Sequence, residues 1–239
     1  MPRSRFPDGA TEGPTQPEWL AKAALDVGLF TGRCEPVLEF WQREVGVPFR
    51  ELLPLGDGLQ QHRHTIGESI LKINQGREPL PGAPPSGIRE LLLARDGIDE
   101  PTPLEDPDGN RVTLVPPGGT GQLRVVLTVS DLAAHRHFYG EVLGLPALDA
   151  HTFACGDSRI RLEQGPATAD PELMAPGYRY LTIQVFDVRE RHAAVLARGG
   201  REGRAPTKVG DVAHISFVRD PDGNWIEISQ RKSITGSLD

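Results

Sequence analysis

The sequence predicts an α+β fold of two tandem βαβββ-type modules, the first of them abbreviated. Three observations carry this reading. The turn Asp106-Pro107-Asp108-Gly109-Asn110 recurs as Asp220-Pro221-Asp222-Gly223-Asn224. The run Phe40-Trp41-Gln42-Arg43-Glu44-Val45-Gly46-Val47-Pro48 is echoed by Phe138-Tyr139-Gly140-Glu141-Val142-Leu143-Gly144-Leu145-Pro146. The apolar run 25–31 matches 123–129 at the offset that also relates Gly46 to Gly144, so strand and helix align without a gap. Three echoes in one order mark an internal repeat.

Each repeat opens on a short apolar run with β-branched residues, residues 25–31 and 123–129, which predicts a strand. A helix follows. In the first repeat Val37, Phe40, Trp41 and Val45 fall at helical spacing, with Pro36 suited to the first turn. In the second, Ser130 is the expected N-cap and Leu132, Phe138, Val142 and Leu143 form the apolar stripe. Gly46 and Gly144 stop the two helices. Further strands are expected at 59–66, 69–74, 88–94, 152–154, 159–163, 178–186 and 212–219. The Asp-Pro-Asp-Gly-Asn turns lead into the last strand of each repeat, 111–115 and 225–229. Residues 180–220 leave room for a helix at 188–198 and another strand, whereas the matching stretch 90–106 lacks both. The expected organisation is a disordered arm at 1–20, a first module at 21–117, a second at 121–231 and a tail at 232–239.

Composition narrows the function. The chain of 239 residues has a formal net charge of -7 and no long Lys/Arg run, which argues against a nucleic-acid partner. No apolar stretch is long enough to span a bilayer, and residues 1–17 lack the apolar core of a secretory signal, so a cytoplasmic protein without a membrane partner is expected. Two cysteines, Cys34 and Cys155, supply neither a disulfide framework nor a thiolate cluster. A small-molecule ligand or substrate is the expected partner, bound by a monomer or homodimer.

The strand–Ser130-Asp131-Leu132–helix opening, the Phe-Tyr-x-x-Val-Leu-Gly-Leu-Pro helix end and both Asp-Pro-Asp-Gly-Asn turns resemble the vicinal oxygen chelate superfamily. It contains glyoxalase I, bleomycin-resistance proteins, methylmalonyl-CoA epimerase and extradiol dioxygenases. The resemblance covers roughly residues 23–230. In metal-dependent members it implies ligands at four inward strand positions. Read onto this chain, those positions are Asp26, Lys72, Glu90 and Thr113 in the first repeat, and Arg124, Arg161, Tyr180 and Glu227 in the second. Pairing across the repeats instead gives Asp26, Lys72, Tyr180 and Glu227 as one set and Glu90, Thr113, Arg124 and Arg161 as the other. Protonated Lys and Arg repel a divalent ion and offer it no lone pair, so no cofactor is expected and iron, manganese or zinc is disfavoured.

The candidate catalytic residues are Glu227 as base, with Tyr180 and Asp26. Arg124, Arg161, Lys72 and Glu90 are candidate substrate-binding residues. His62 and His64 are two apart on a polar strand and share a face, so they join that set together with His214. His62 and His64 with Glu90 or Asp26, and Glu227 beside them, are the weak candidates for a metal. Two functions follow: a glyoxalase-like enzyme acting on a small anionic or enolisable metabolite by lyase, isomerase or ring-modifying chemistry, with a degenerate metal site, or a metal-free small-molecule-binding protein of the bleomycin-resistance type. An aromatic content of 6% leaves little for the stacking surface that a sequestering pocket needs, which favours the enzyme.

Overall fold

The computed structural model describes residues 16–76, 79–118 and 121–238. The arm expected at the N-terminus lies mostly outside them. The first repeat forms β1 (Leu20–Phe30), α1 (Cys34–Glu39) with a π-helical continuation (Phe40–Glu44), β2 (Phe49–Pro54), β3 (Gln60–Ile66), β4 (Ser69–Gln75), β5 (Ile88–Ala94), β6 (Thr102–Glu105) and β7 (Arg111–Val115). The second forms β8 (Leu123–Val129), α2 (Leu132–His137) with a π-helical continuation (Phe138–Val142), β9 (Thr152–Cys155), β10 (Ser158–Gln164), β11 (Gly177–Val185), α3 (Val188–Ala197), β12 (Arg201–Val209), β13 (Ala213–Arg219) and β14 (Trp225–Arg231). A short α4 (Lys232–Thr235) ends the fold. No described helix is long and apolar enough to cross a membrane.

Both repeats enter their helix and leave it in the way the sequence dictates, with one correction. The N-cap of α2 is Asp131, whose carboxylate accepts from the Ala133 and Ala134 N–H groups at 2.8 and 3.0 Å. Ser130 turns instead to the second Asp-Pro-Asp-Gly turn, where its N–H donates to Asp222 at 2.8 Å. Gly46 and Gly144 take φ of 72° and 66°, the left-handed conformation that ends each helix. Beneath each helix one aromatic ties it to the first Asp of its own repeat's turn: Trp41 Nε1 donates to Asp106 Oδ2, and Tyr139 Oη to Asp220 Oδ2, both at 3.2 Å.

The sheets are built by exchange between the repeats. The larger has the order β12-β13-β14-β11-β1-β4-β3-β2, and the smaller β6-β7-β5-β8-β10-β9. The join is antiparallel in both: β1 against β11, with Asp26 opposite Thr182, and β5 against β8, with Leu92 opposite Arg124. Each sheet therefore takes the first half of one repeat and the second half of the other. Alternation along the strands sends Leu25, Val27, Leu29, Leu71, Ile73, Leu181, Ile183, Ile226 and Ile228 into one continuous apolar core with Trp41 and Tyr139. The residues between them face the other way, and in the larger sheet they line a cavity.

Candidate functional site

The larger sheet curls so that its two ends face one another across a cavity of about 230 Å³. Leu53, Leu55 and Leu59 come from the β2–β3 end, and Val209, Val212 and Ile215 from the β12–β13 end. Phe30, Tyr180 and Phe217 form an aromatic wall that continues to Trp225, with ring centroids 5.7 to 6.2 Å apart. Space for the Tyr180 ring is made by Gly28, where an added Cβ would fall 2.0 Å from the ring. The floor is polar, with Lys72, Asn74, Gln184 and Glu227, flanked by Gln61, Arg63, Arg204 and Arg231. Cations outnumber the single lining carboxylate, so the cavity favours an anion. A larger open cleft of about 540 Å³ lies among loops near Gly87, Gly165 and Tyr178. It holds no comparable convergence of buried charged groups, and the smaller cavity is the stronger candidate site.

The exchange of halves brings together the set Asp26, Lys72, Tyr180 and Glu227. Lys72 Nζ donates to Glu227 Oε2 at 2.9 Å and to Thr182 Oγ1 at 2.7 Å, and Thr182 Oγ1 donates to the same Glu227 oxygen at 3.0 Å. Burial pushes the Lys72 pKa down; Glu227 and Asp26 oppose this without cancelling it. Tyr180 packs its ring under Lys72, 5.3 Å from Nζ, and its hydroxyl accepts from Asn74 Nδ2 at 3.2 Å and Gln61 Nε2 at 3.4 Å. Burial and the Glu227 charge raise its pKa far above the ordinary phenol value, so it stays a neutral hydroxyl.

Asp26 sits behind this floor rather than on it. It is fully buried; Oδ1 accepts from the Ile70 N–H at 2.8 Å and Lys22 Nζ at 2.5 Å, and Oδ2 from Gln184 Nε2 at 3.2 Å. Burial would raise its pKa, but Lys22 and Lys72 prevail and hold the carboxylate below the usual range. It is a buried counter-charge that orients Gln184, which does line the cavity.

Three histidines fall elsewhere, correcting the sequence expectation. On β3 it is Gln61 and Arg63 that face the cavity, so His62 and His64 point to the opposite side. His62 Nε2 lies 3.6 Å from Cys34 Sγ and His64 Nε2 lies 3.0 Å from Gln42 Nε2. Burial lowers the His64 pKa to about 4, as expected of a neutral core imidazole. His214 is likewise buried on the far side of β13, whose cavity face carries Ala213, Ile215 and Phe217. None of the three lines the cavity, and the mixed His–carboxylate metal set does not assemble. Cys155 is a buried residue of β9 with its pKa pushed up to about 12.

The second set lies on the smaller sheet in two parts. Thr113 Oγ1 donates to Glu90 Oε1 at 2.5 Å, while Arg161 donates to Thr152 Oγ1 at 3.2 Å and stands 3.7 Å from Asp149. Burial and the neighbouring Arg161 and Arg159 lower the Arg124 pKa. Gln61, Arg63, Asn74, Thr182, Gln184 and Arg231 are the functional candidates that sequence reasoning missed. Only the strand register, with Gln61 opposite Asn74 and Arg63 opposite Lys72, brings them in.

Among the described residues no group of three or more His, Cys, Asp or Glu side chains stands close enough to hold a metal ion. At the four positions in question, Lys72 occupies one Glu227 oxygen, Asp26 is bonded on both oxygens, and Tyr180 remains a phenol. This donor set does not fit a divalent ion while Lys72 is protonated.

Comparison with known proteins places these features. The profile of the glyoxalase/bleomycin resistance protein/dioxygenase superfamily matches residues 121–228. A protein named "Probable lactoylglutathione lyase" from Vibrio cholerae is 33% identical over 132 residues, spanning 49% of this chain and 95% of that protein. A lactoylglutathione lyase from Haemophilus influenzae is 31% identical over 131 residues, 48% of this chain and 96% of its own. Glyoxalase I from Zea mays, as the V278E mutant, superimposes with a TM-score of 0.72 at 17% identity, covering 87% of this chain and 92% of that one. These matches overturn the expectation of no cofactor. Lactoylglutathione lyases and glyoxalase I stand among the metal-dependent members of the superfamily, whereas in this chain Lys72 fills one of the four positions. By its sequence and its exchanged βαβββ halves, the chain belongs to the glyoxalase/bleomycin resistance protein/dioxygenase superfamily.

Proposed function

We propose that the cavity of the larger sheet is the active site of an enzyme that acts on a small anionic or enolisable metabolite by lyase or isomerase chemistry. The observation that carries this reading is the buried Lys72–Glu227 pair at the cavity floor. Glu227 spends Oε2 on Lys72 and Thr182, and no described hydrogen bond engages Oε1. Lys72 spends two of its three donors on Thr182 and Glu227, which leaves one for a ligand. A carbonyl compound seated here meets a carboxylate beside its acidic C–H and an ammonium beside its oxygen. Glu227 Oε1 takes the proton, the C–H electron pair moves into the carbonyl, and the Lys72 N–H donor meets the charge that builds on oxygen. Where that carbon also carries a hydroxyl, passage of the hydroxyl proton to the old carbonyl oxygen and return of the abstracted proton to the old carbonyl carbon complete an isomerisation; loss of a β-substituent with its bonding electrons completes an elimination. Tyr180 serves as a neutral donor at the cavity wall, and Asp26 holds Gln184 in place. The named relatives, lactoylglutathione lyases, support a reaction at a carbon beside a carbonyl.

The test is solvent deuterium exchange, followed by proton NMR, across a panel of small 2-hydroxy and 2-keto acids. The wild-type protein is expected to exchange the C–H of at least one member. Glu227→Gln should slow that exchange by about 10²- to 10⁴-fold, the usual contribution of a positioned general base. Unchanged exchange by the variant would remove Glu227 from the role.

The aromatic wall favours a second reading, a small-molecule-binding protein of the bleomycin-resistance type. Despite the low aromatic content, Phe30, Tyr180, Phe217 and Trp225 are gathered at this one site. Tight binding of a planar ligand with no exchange by any panel member would favour it.

A further inference from the structure

Arg63 and Arg231 line the cavity and also a second space, an adjoining groove of about 400 Å³ that includes Lys22, Arg50, Glu51 and Glu68. The two arginines are the junction between the spaces. Each has a further side-chain partner: Arg63 donates to Gln61 Oε1 at 2.9 Å, and Arg231 Nε to Ser233 Oγ at 3.2 Å. Their side chains are only 5% and 13% exposed. One carboxylate sits across them. Glu51 Oε1 lies 3.0 Å from Arg63 Nε and 3.2 Å from Arg231 Nη2.

The manner of this contact is informative. A guanidinium and a carboxylate pair best through two parallel N–H···O bonds. Here a single oxygen of Glu51 is shared between two guanidiniums, and neither pair is bidentate. Arg63 Nε, though 3.0 Å from that oxygen, has no hydrogen-bond partner in line with it and is buried. Glu51 is also the peripheral partner, since it lies on β2 at the edge of the sheet with its side chain 36% exposed. Two buried guanidiniums thus share one carboxylate oxygen, and Arg63 Nε lacks an aligned acceptor.

We propose that Arg63 and Arg231 form a carboxylate-binding subsite for the molecule that enters the cavity, and that Glu51 occupies this subsite until an incoming carboxylate displaces it. The inference rests on the cavity being the binding site, as proposed above, and on no chemical step within it. A ligand carboxylate arriving from the groove side can pair with both forks, while the rest of the molecule reaches inward towards Lys72 and Glu227. Glu51 then selects for an anionic end group, because a neutral molecule cannot compete for the arginines.

Isothermal titration calorimetry with malonate, and with malonamide as its uncharged counterpart, tests this on the full chain. Glu51→Gln removes the competing carboxylate and should tighten malonate binding about tenfold, because the subsite no longer has to be vacated. Arg231→Gln should weaken it at least about tenfold, the loss of one charge-assisted pair. Malonamide should not distinguish the three proteins. Far-UV circular dichroism and thermal melts confirm that each variant is folded. Unchanged or weaker malonate binding by Glu51→Gln would overturn the proposal and leave Glu51 as a tie between β2 and β14. Absence of malonate binding by all three folded proteins would overturn it as well. Because the readout is heat of binding, a failure here is separable from a failure of the Glu227 exchange test.

Discussion

Gly28 shows how a single position sets the shape of the site. Its neighbours on β1, Val27 and Leu29, are fully buried in the core, and alternation turns position 28 towards the cavity. A methyl group there would fall 2.0 Å from Tyr180 Cε1 and 2.1 Å from Cζ, deep inside the ring's own volume. Gly28→Ala should therefore force Tyr180 out of place and cost roughly 1–3 kcal/mol, the range for overpacking. Equilibrium urea unfolding measures that loss, and an unperturbed stability would show that the ring has room to move. The same residue scale shows why part of the site was legible in the sequence and part was not. Lys72, Tyr180 and Glu227 follow from the resemblance, which implies four inward strand positions; the repeat and the turns only locate those strands in the chain. The face of β3 was misread. Gln61, Arg63 and Thr65 alternate with His62, His64 and Ile66, and a run of five polar residues offers no apolar stripe to tell the two faces apart. Pairing with β4 decides the matter, and that pairing is tertiary.

The helices were more legible than the strands that carry the cavity's ends, because caps and glycine stops are local signals. β2 and β12, the two edges of the larger sheet, have weak patterns; β2 was not anticipated at all, yet it supplies Glu51, Leu53 and the cavity's rim. At this scale the contact between α2 and the second turn makes a prediction. His135 is fully buried; Nε2 stands 3.5 Å from Asp220 and 3.4 Å from Asp222, and Nδ1 lies 2.7 Å from the Asp131 carbonyl oxygen. Burial alone would lower its pKa, but the two carboxylates and the hydrogen bonds outweigh it and the net shift is upward. A raised folded-state value means that protonation stabilises the fold. That contribution is complete below the unfolded imidazole value of about 6.5 and is lost as pH rises through the folded value. Urea unfolding of wild type and His135→Gln should thus show a larger stability gap at pH 6 than at pH 9. An equal gap at both would remove His135 as a charged staple between α2 and the turn.

On the scale of the whole molecule, the exchange of halves has a physical consequence beyond assembling the site. The joins β1–β11 and β5–β8 are the centres of the two sheets, and every strand of the cavity floor depends on one of them. The abbreviated repeat lacks a counterpart of α3 and β12, so the smaller sheet ends at β6 with no helix beyond it, while the larger sheet receives the complete half. That asymmetry places the deep cavity on the larger sheet. Neither repeat by itself contains Lys72 and Glu227 together, and each alone would expose the apolar residues of its central strand edges. A protease site inserted between β7 and β8 therefore makes a strong prediction. After cleavage the two fragments should stay associated and keep one cooperative unfolding transition, because antiparallel pairing and the shared core join them independently of the connecting chain. Each fragment expressed alone should be aggregation-prone or unfolded by circular dichroism, and mixing the two from denaturant should restore the native spectrum. Independent folding of residues 121–238 into a soluble monomer would contradict the central role of the β1–β11 and β5–β8 joins. It would mean that β11 and β14 can form a stable sheet without β1, with Glu227 then lacking its Lys72 partner.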